Sequence, residues 1–219
     1  MKKISSVALA VAGLSAAAVA ISTPAVASAD VKVVLPAQTG TQTLGDGTKV
    51  TLSRSNERAN INPSLGGTPL HRNAWVSAVY NVKTSKKVNS IKVQAGYIVG
   101  CQVNLNSLTN SGNGSGSVPS SGTPTASVGA GESITVGPGQ AVNYWVFDRE
   151  TADDFGNDSH STKINYKKTD HGRLSYTNQT IMVNGCGGYA QARSIANVSV
   201  DTDNARQILT FYGRPFSLG

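Results

Sequence analysis

Formal charge is nearly absent from the middle of this chain. Between Lys92 and Asp148 the only formally charged residue is Glu132, and residues 93–131 carry none. A β-strand that crosses a hydrocarbon layer has few charged residues, because an ionised side chain is costly there. The deficit leaves two alternatives for this segment: a hairpin on the surface of a soluble domain, or a hairpin that enters a membrane.

Residue types used for catalysis are also scarce. The chain has three His and two Cys and no Gly-x-Ser-x-Gly nucleophile motif, which argues against an enzyme. Its basic residues are scattered without interleaved aromatic residues, which argues against nucleic-acid binding. The acidic residues Asp153, Asp154 and Asp158 near His160 lack the spacing of an EF-hand loop and indicate a solvated loop. We therefore predict no catalytic residue, no metal site and no cofactor.

The N-terminus has the pattern of an export signal. Lys2 and Lys3 precede an apolar run over residues 7–21, and Ala-Ser-Ala at residues 27–29 has the small-x-small form of a cleavage site. The run is too short and too rich in alanine for a transmembrane helix, which needs about 20 strongly apolar residues. We predict that residues 1–29 are a secretory signal and that any membrane role must come through strands.

The two cysteines, Cys101 and Cys186, belong to a chain predicted to enter an oxidising compartment. One disulfide between them is the default interpretation there. Two free buried thiols remain the alternative. A bond between them would tie the start of the uncharged segment to a much later part of the chain.

The rest of the chain predicts short β-strands, because apolar and polar residues alternate and Gly/Pro turns separate the runs. No window has a convincing helical period, and residues 150–155 could form one helical turn at most. This pattern predicts an all-β protein with a β-sandwich. The β-prone runs are residues 31–35, 48–52, 76–82, 144–147, 179–183, 196–200 and 208–212.

Within the uncharged segment, two arms flank a Gly/Ser/Asn run at residues 110–117. The arms cover about residues 96–108 and 123–136, and we predict a hairpin over residues 96–137. It would be inserted into a sandwich made of residues 30–95 and 138–219. The first arm alternates strictly. One face carries Tyr97, Val99, Cys101, Val103 and Leu105, and the other carries Gly100, Gln102, Asn104 and Asn106.

Several strings resemble the MspA-type porins, in particular the nocardial and rhodococcal branch that carries a cysteine pair. They are GTPLHRNAW at residues 67–75, GYIVGCQ at 96–102, GPGQ at 137–140, ADDFG at 152–156, CGGYAQAR at 186–193 and PFSLG at 215–219. The resemblance implies a ring of about eight subunits in a mycolic-acid outer membrane. Each subunit would supply a β-sandwich rim domain and one long hairpin to a shared barrel. The tip of the hairpin departs from the best-known member because it lacks acidic residues.

These considerations predict a channel subunit for passive diffusion of small hydrophilic solutes and ions, in a homo-oligomer or with a partner subunit. The alternative is a secreted β-sandwich that binds an envelope component and keeps the uncharged segment as a mobile loop. In the channel, the predicted pore-lining residues are Gln102, Asn104, Asn106, Asn110, Asn113 and Glu132. Those predicted to face lipid or the sandwich core are Val99, Val103, Leu105 and Val128.

Overall fold

The computed structural model describes residues 30–64, 67–104, 127–128, 133–135, 140–152 and 158–219. These residues form twelve β-strands and no helix, and within them no helix has the length and apolarity that crossing a membrane requires. The strands are β1 (Val31–Val34), β2 (Gln38–Thr43), β3 (Lys49–Asn62), β4 (Arg72–Asn104), β5 (Ser127–Val128), β6 (Ser133–Thr135), β7 (Ala141–Trp145), β8 (Arg149–Ala152), β9 (Asp158–Ser161), β10 (Ile164–Asn184), β11 (Cys186–Asp201) and β12 (Arg206–Ser217).

One long strand, β4, organises the fold by running through both halves of a single ten-stranded sheet. Its first part pairs with β3 on one side and with the second part of β10 on the other. Its last part pairs with β11 and β7. Between the two parts, the pairing with β10 shifts register between Thr169 and His171, where the sheet curls. We call the half built on β1, β2, β3, the first part of β4 and the second part of β10 sheet 1, and the half built on β7, β11, β12 and the last part of β4 sheet 2.

The two halves pack face to face around one apolar core. Period-two alternation puts Ala74, Val76, Ala78, Tyr80 and Val82 of β4 inside, and all five are buried. Aromatic rings then bridge the halves. The Tyr176 ring of sheet 1 lies edge-on to the Tyr97 ring of sheet 2 with centroids 6.4 Å apart, and the Tyr176 hydroxyl donates to the Tyr97 hydroxyl over 2.9 Å. Each aromatic pair of this kind adds stability beyond its buried area.

The predicted all-β class and its sandwich are confirmed, but two of the strands are much longer than the predicted runs. β4 has 33 residues and β10 has 21. Alternation ends at Lys86 and Lys87, which lie in the irregularity between the pairs Val88↔Thr169 and Lys83↔His171. The strand continues on both sides of it, so the alternating pattern in the sequence understates the length of the strand. The prediction that residues 150–155 could form a helical turn is wrong for residues 150–152, the part of it that the structure describes. Residues 149–152 form β8, because their backbone pairs with β9 from Arg149↔Ser161 to Ala152↔Asp158.

Candidate functional site at the base of the uncharged segment

The uncharged segment leaves the sandwich through the last part of β4. Tyr97, Val99 and Cys101 are buried, whereas Gln102 and Val103 are exposed, and Val103 keeps 40% of its surface in solvent. The strand therefore passes the edge of the core between residues 101 and 102, where its pairing with β11 shifts register. We call this place the stem base and define it by Arg72, Cys101, Gln102, Cys186 and the loop at residues 187–189.

A disulfide crosses the stem base. Cys101 and Cys186 are bonded, with Cα atoms 5.8 Å apart and 85 residues between them in sequence. Cys186 is the first residue of β11, and its backbone N–H donates to the Leu70 carbonyl oxygen over 2.7 Å. The exit point of the uncharged segment is thus covalently tied to β11 and, through that hydrogen bond, to the turn before β4.

The loop at residues 187–189 holds the side chain of Gln102. The pairing of β11 with β4 shifts register between Gly187 and Ala190, which leaves an extra loop against β4. Gly188 has φ +78°, a conformation that side-chain-bearing residues rarely adopt, and a Cβ there would lie 2.9 Å from Gln102 Oε1. Because the loop comes so close, the Tyr189 N–H donates to Gln102 Oε1 over 3.2 Å.

Arg72 braces three chain segments at the stem base. Its Nε donates to the Gly219 carbonyl oxygen over 3.1 Å, and its Nη2 donates to the Gly188 carbonyl oxygen over 2.9 Å. Its Nη1 donates to the Pro69 carbonyl oxygen. One guanidinium thereby joins the start of β4, the loop beside Gln102 and the C-terminus, using the fixed fork of donors that arginine provides.

On the other side of β4, strand β7 supports the exit by close contact. Gly96 pairs with Trp145, and a Cβ at Gly96 would overlap the Tyr144 carbonyl oxygen and lie 2.8 Å from the Trp145 ring. The Tyr144 hydroxyl donates to the Thr180 carbonyl oxygen of β10 over 2.6 Å. Glycine at residue 96 is what permits this approach, and the Tyr144 hydrogen bond joins β7 to sheet 1.

In the described residues, the two arms of the predicted hairpin do not pair with each other. The first arm pairs with β7, from Gly96↔Trp145 to Gly100↔Ala141. In the second arm, β5 pairs in parallel with β7 over two residues, and β6 pairs in parallel with β10 over three. In this single chain, the described parts of the second arm, β5 and β6, therefore lie along edges of the sandwich.

The predicted site residues fall into three groups. Val99 is buried in the sandwich core, and Val103 and Gln102 are exposed beyond it. Asn104 ends β4 opposite Cys186, and Val128 pairs with Tyr144 in the β5–β7 ladder. The others lie outside the described residues: Leu105, Asn106, Asn110, Asn113 and Glu132.

Sequence reasoning missed Arg72 and Gly188, since their partners come from distant parts of the chain and no local pattern marks them.

An open groove of about 540 Å³ runs beside Gln102 and is lined by glutamine, tyrosine and alanine, with Arg193 as its one charged residue. Arg193 is engaged, because its Nε donates to the Gly213 carbonyl oxygen over 2.8 Å. The groove offers hydrogen bonding and a cation, but its lining contains no carboxylate, histidine or free thiol.

Comparison with known proteins agrees with this arrangement. The family model named MspA matches residues 46–217, which include β3 to β12, the stem base and the whole uncharged segment. No curated protein matches the chain significantly. Since the match covers well over half of the sequence, the chain belongs to the MspA family of porins.

Proposed function

We propose that this protein is the subunit of an outer-membrane channel through which small hydrophilic solutes and ions diffuse passively. One observation carries the proposal. A continuous strand, β4, leaves the buried core at Cys101 and leads into chain without formal charge, in a protein of a porin family. Membership of that family implies an oligomer and an outer-membrane location. The resemblance to its nocardial and rhodococcal members suggests a mycolic-acid membrane and a ring of about eight subunits.

The physics of the uncharged segment requires such an oligomer. A lone hairpin in lipid leaves two unpaired strand edges, and each unsatisfied backbone group costs several kcal/mol there. Hairpins from several subunits remove every edge by closing a barrel. The proposed stem is residues 96–137, and the proposed body is residues 30–95 and 138–219.

In this channel, the stem base sets the direction in which the stem leaves the body. The Cys101–Cys186 bond and the Arg72 hydrogen bonds restrain β4 at the point where it loses the support of the core. Gln102 and Asn104, continued by Asn106, then face the lumen, and Val103 and Leu105 face lipid. Asn110 and Asn113 line the far end.

Formation of the stem requires β5 and β6 to leave the edges that they occupy in the single chain. That exchange is inexpensive, because β5 and β6 hold those edges through ladders of only two and three residues. The barrel would return a full ladder to the same backbone groups. We propose that the body stays unchanged while the second arm exchanges partners.

The decisive experiment is conductance of the purified mature protein in a planar diphytanoylphosphatidylcholine bilayer. We expect discrete current steps from wild type and none from a variant in which a short Gly/Ser linker replaces residues 105–126. The circular dichroism of the β-body should be the same in both. Absence of current from wild type, together with binding to envelope lipid vesicles, would support the secreted envelope-binding alternative instead.

A further inference from the structure

The outer face of sheet 1 exposes large apolar side chains that nothing in the described structure covers. Val34 is 81% exposed, Trp75 is 42% exposed and Met182 is 41% exposed. The register places them on one side of the sheet. Asn60 pairs with Trp75 on one side and with Lys32 on the other, and Val34 is two residues after Lys32. Met182 pairs with Asn73, which is two residues before Trp75. Paired residues, and residues two apart in a strand, share a face. An apolar set of this kind on one face indicates a protein contact.

The same face is basic. Lys32 and Arg58 flank Val34 and Trp75 in the register, and both are exposed. The carboxylates nearest to this face are already engaged. Glu57 of β3 is buried against Arg54, and Asp30, just before β1, accepts a hydrogen bond from Asn60 Nδ2 over 2.9 Å. We call the surface formed by Lys32, Val34, Arg58, Trp75 and Met182 the Trp75 face.

An acidic element lies on the opposite side of the sandwich. Strands β8 and β9 form a separate two-stranded ribbon, and all four residues of β8 are exposed. Residues 148–158 contain five acidic residues of the 12 in the chain and one basic residue. In the register, Glu150 pairs with His160 and Ala152 pairs with Asp158, so the two pairs are close neighbours in the ribbon.

The base of the ribbon lies over sheet 2. Gln94 lies between the buried Val93 and Ala95 of β4 and so points away from the core, and its Nε2 donates to the Thr162 hydroxyl over 2.6 Å. Thr162 directly follows β9. The acidic ribbon and the Trp75 face therefore occupy the two opposite outer faces of one subunit.

We propose that the acidic ribbon of one subunit docks on the Trp75 face of the next copy of this chain. This inference rests on the proposed oligomeric channel and names the surfaces that join its subunits. Complementary charge selects the partner: Glu150 and Asp158 meet Lys32 and Arg58, while the apolar side chains around Trp75 are removed from water. Two different surfaces on opposite faces make a head-to-tail contact, the type that closes into a ring.

Charge exchange between the two surfaces tests the contact. Lys32→Glu/Arg58→Glu and, separately, Glu150→Lys/Asp158→Lys should each lower the fraction of oligomer in detergent at least tenfold. The quadruple variant should recover most of the wild-type oligomer, because the exchanged charges attract again. Lys87→Glu/Lys167→Glu is the matched control, since both lysines are exposed on the body outside the Trp75 face, and it should assemble normally.

Tryptophan quenching provides a second readout without substitution. Trp75 is 42% exposed and Trp145 is 8% exposed, so iodide should quench mainly Trp75 in the monomer. Assembly should lower that quenching at least twofold.

Three outcomes would overturn the contact: reversed charges that leave the oligomer intact, a quadruple variant that stays monomeric, or quenching that assembly does not change. If wild type assembles and conducts in these cases, the channel stands and only the interface is refuted. If wild type neither assembles nor conducts, both proposals fail.

Discussion

The Arg54 guanidinium and the Glu57 carboxylate form an ion pair inside the sandwich, with Nε 2.7 Å from Oε2. Their side chains are only 6% and 1% exposed. Arg54 also donates to the Ser194 hydroxyl and to the Gln38 side-chain oxygen. Burial raises the pKa of Glu57, and the positive charge of Arg54 opposes that rise. The pair therefore places two opposite charges in a mostly apolar interior, and each charge depends on the other for its stabilisation.

Arg54→Met should destabilise the protein by about 3–5 kcal/mol at pH 8, because it leaves the Glu57 carboxylate buried without a counter-charge. A carboxyl whose pKa is higher in the folded than in the unfolded state stabilises the fold only while it is protonated. Its contribution to stability is therefore lost as the pH rises from its pKa in the unfolded state through its pKa in the folded state. The variant should thus be more stable at pH 5 than at pH 8 in urea denaturation. Arg54→Met/Glu57→Gln should remove this pH dependence, and a single variant with equal stability at both pH values would contradict the account.

Gly96→Ala should lower the free energy of unfolding by about 1–3 kcal/mol, because the new methyl group would overlap the Tyr144 backbone. Gly100→Ala is the matched control on the same face of β4 and in the same pairing with β7. Its nearest neighbouring atom would lie 3.7 Å away, an ordinary contact. Thermal unfolding of both proteins checks the difference, and equal loss would mean that the β7 contact does not restrict residue 96.

Cys101→Ser/Cys186→Ser should cost about 2–4 kcal/mol in unfolding free energy, the usual contribution of such a bond. We also expect fewer active channels per unit of protein, since the stem base loses its covalent restraint. Urea denaturation and channel counts in bilayers measure the two effects. Two free thiols in native wild type, detected with Ellman's reagent, would refute the bond.

Cysteines introduced singly beyond Cys101 test which side chains face the lumen. At residues 102, 104 and 106 they should react with a charged thiol reagent and block current, whereas at residues 103 and 105 they should not. The contrast is sharp because a slip of one residue would invert every side chain. Equal reactivity at the even-numbered and the odd-numbered residues would indicate a loop rather than a strand.

Glu132→Gln should lower the cation preference of the channel and leave its conductance largely intact. Glu132 is the only formal charge in the proposed stem, and a ring of such carboxylates would dominate selectivity despite the basic net charge of the protein. Reversal potentials in a salt gradient measure the effect. Asp170→Asn, which removes an exposed carboxylate outside both the stem and the proposed subunit contact, is the control. Unchanged reversal potentials would place Glu132 away from the lumen.

The sequence by itself determined the features that depend on local chemistry. Period-two alternation and Gly/Pro turns predict an all-β sandwich because they act between neighbouring residues. The lack of charge across residues 93–131 marks the segment that differs from the rest of the chain. The cysteine count predicts one possible bond, which the structure contains between Cys101 and Cys186.

Only the tertiary structure decided how long the strands run and what surrounds the exit of β4. The bend of β4 is polar and exposed, and only the pairs on either side of it, Lys83↔His171 and Val88↔Thr169, show that one strand runs through it. Arg72 contacts Gly219, 147 residues away, and Arg54 contacts Ser194, 140 residues away. No local pattern encodes contacts at such separations, because they arise when the halves of one sheet curl against each other. The stem base and the buried ion pair are therefore properties of the folded chain.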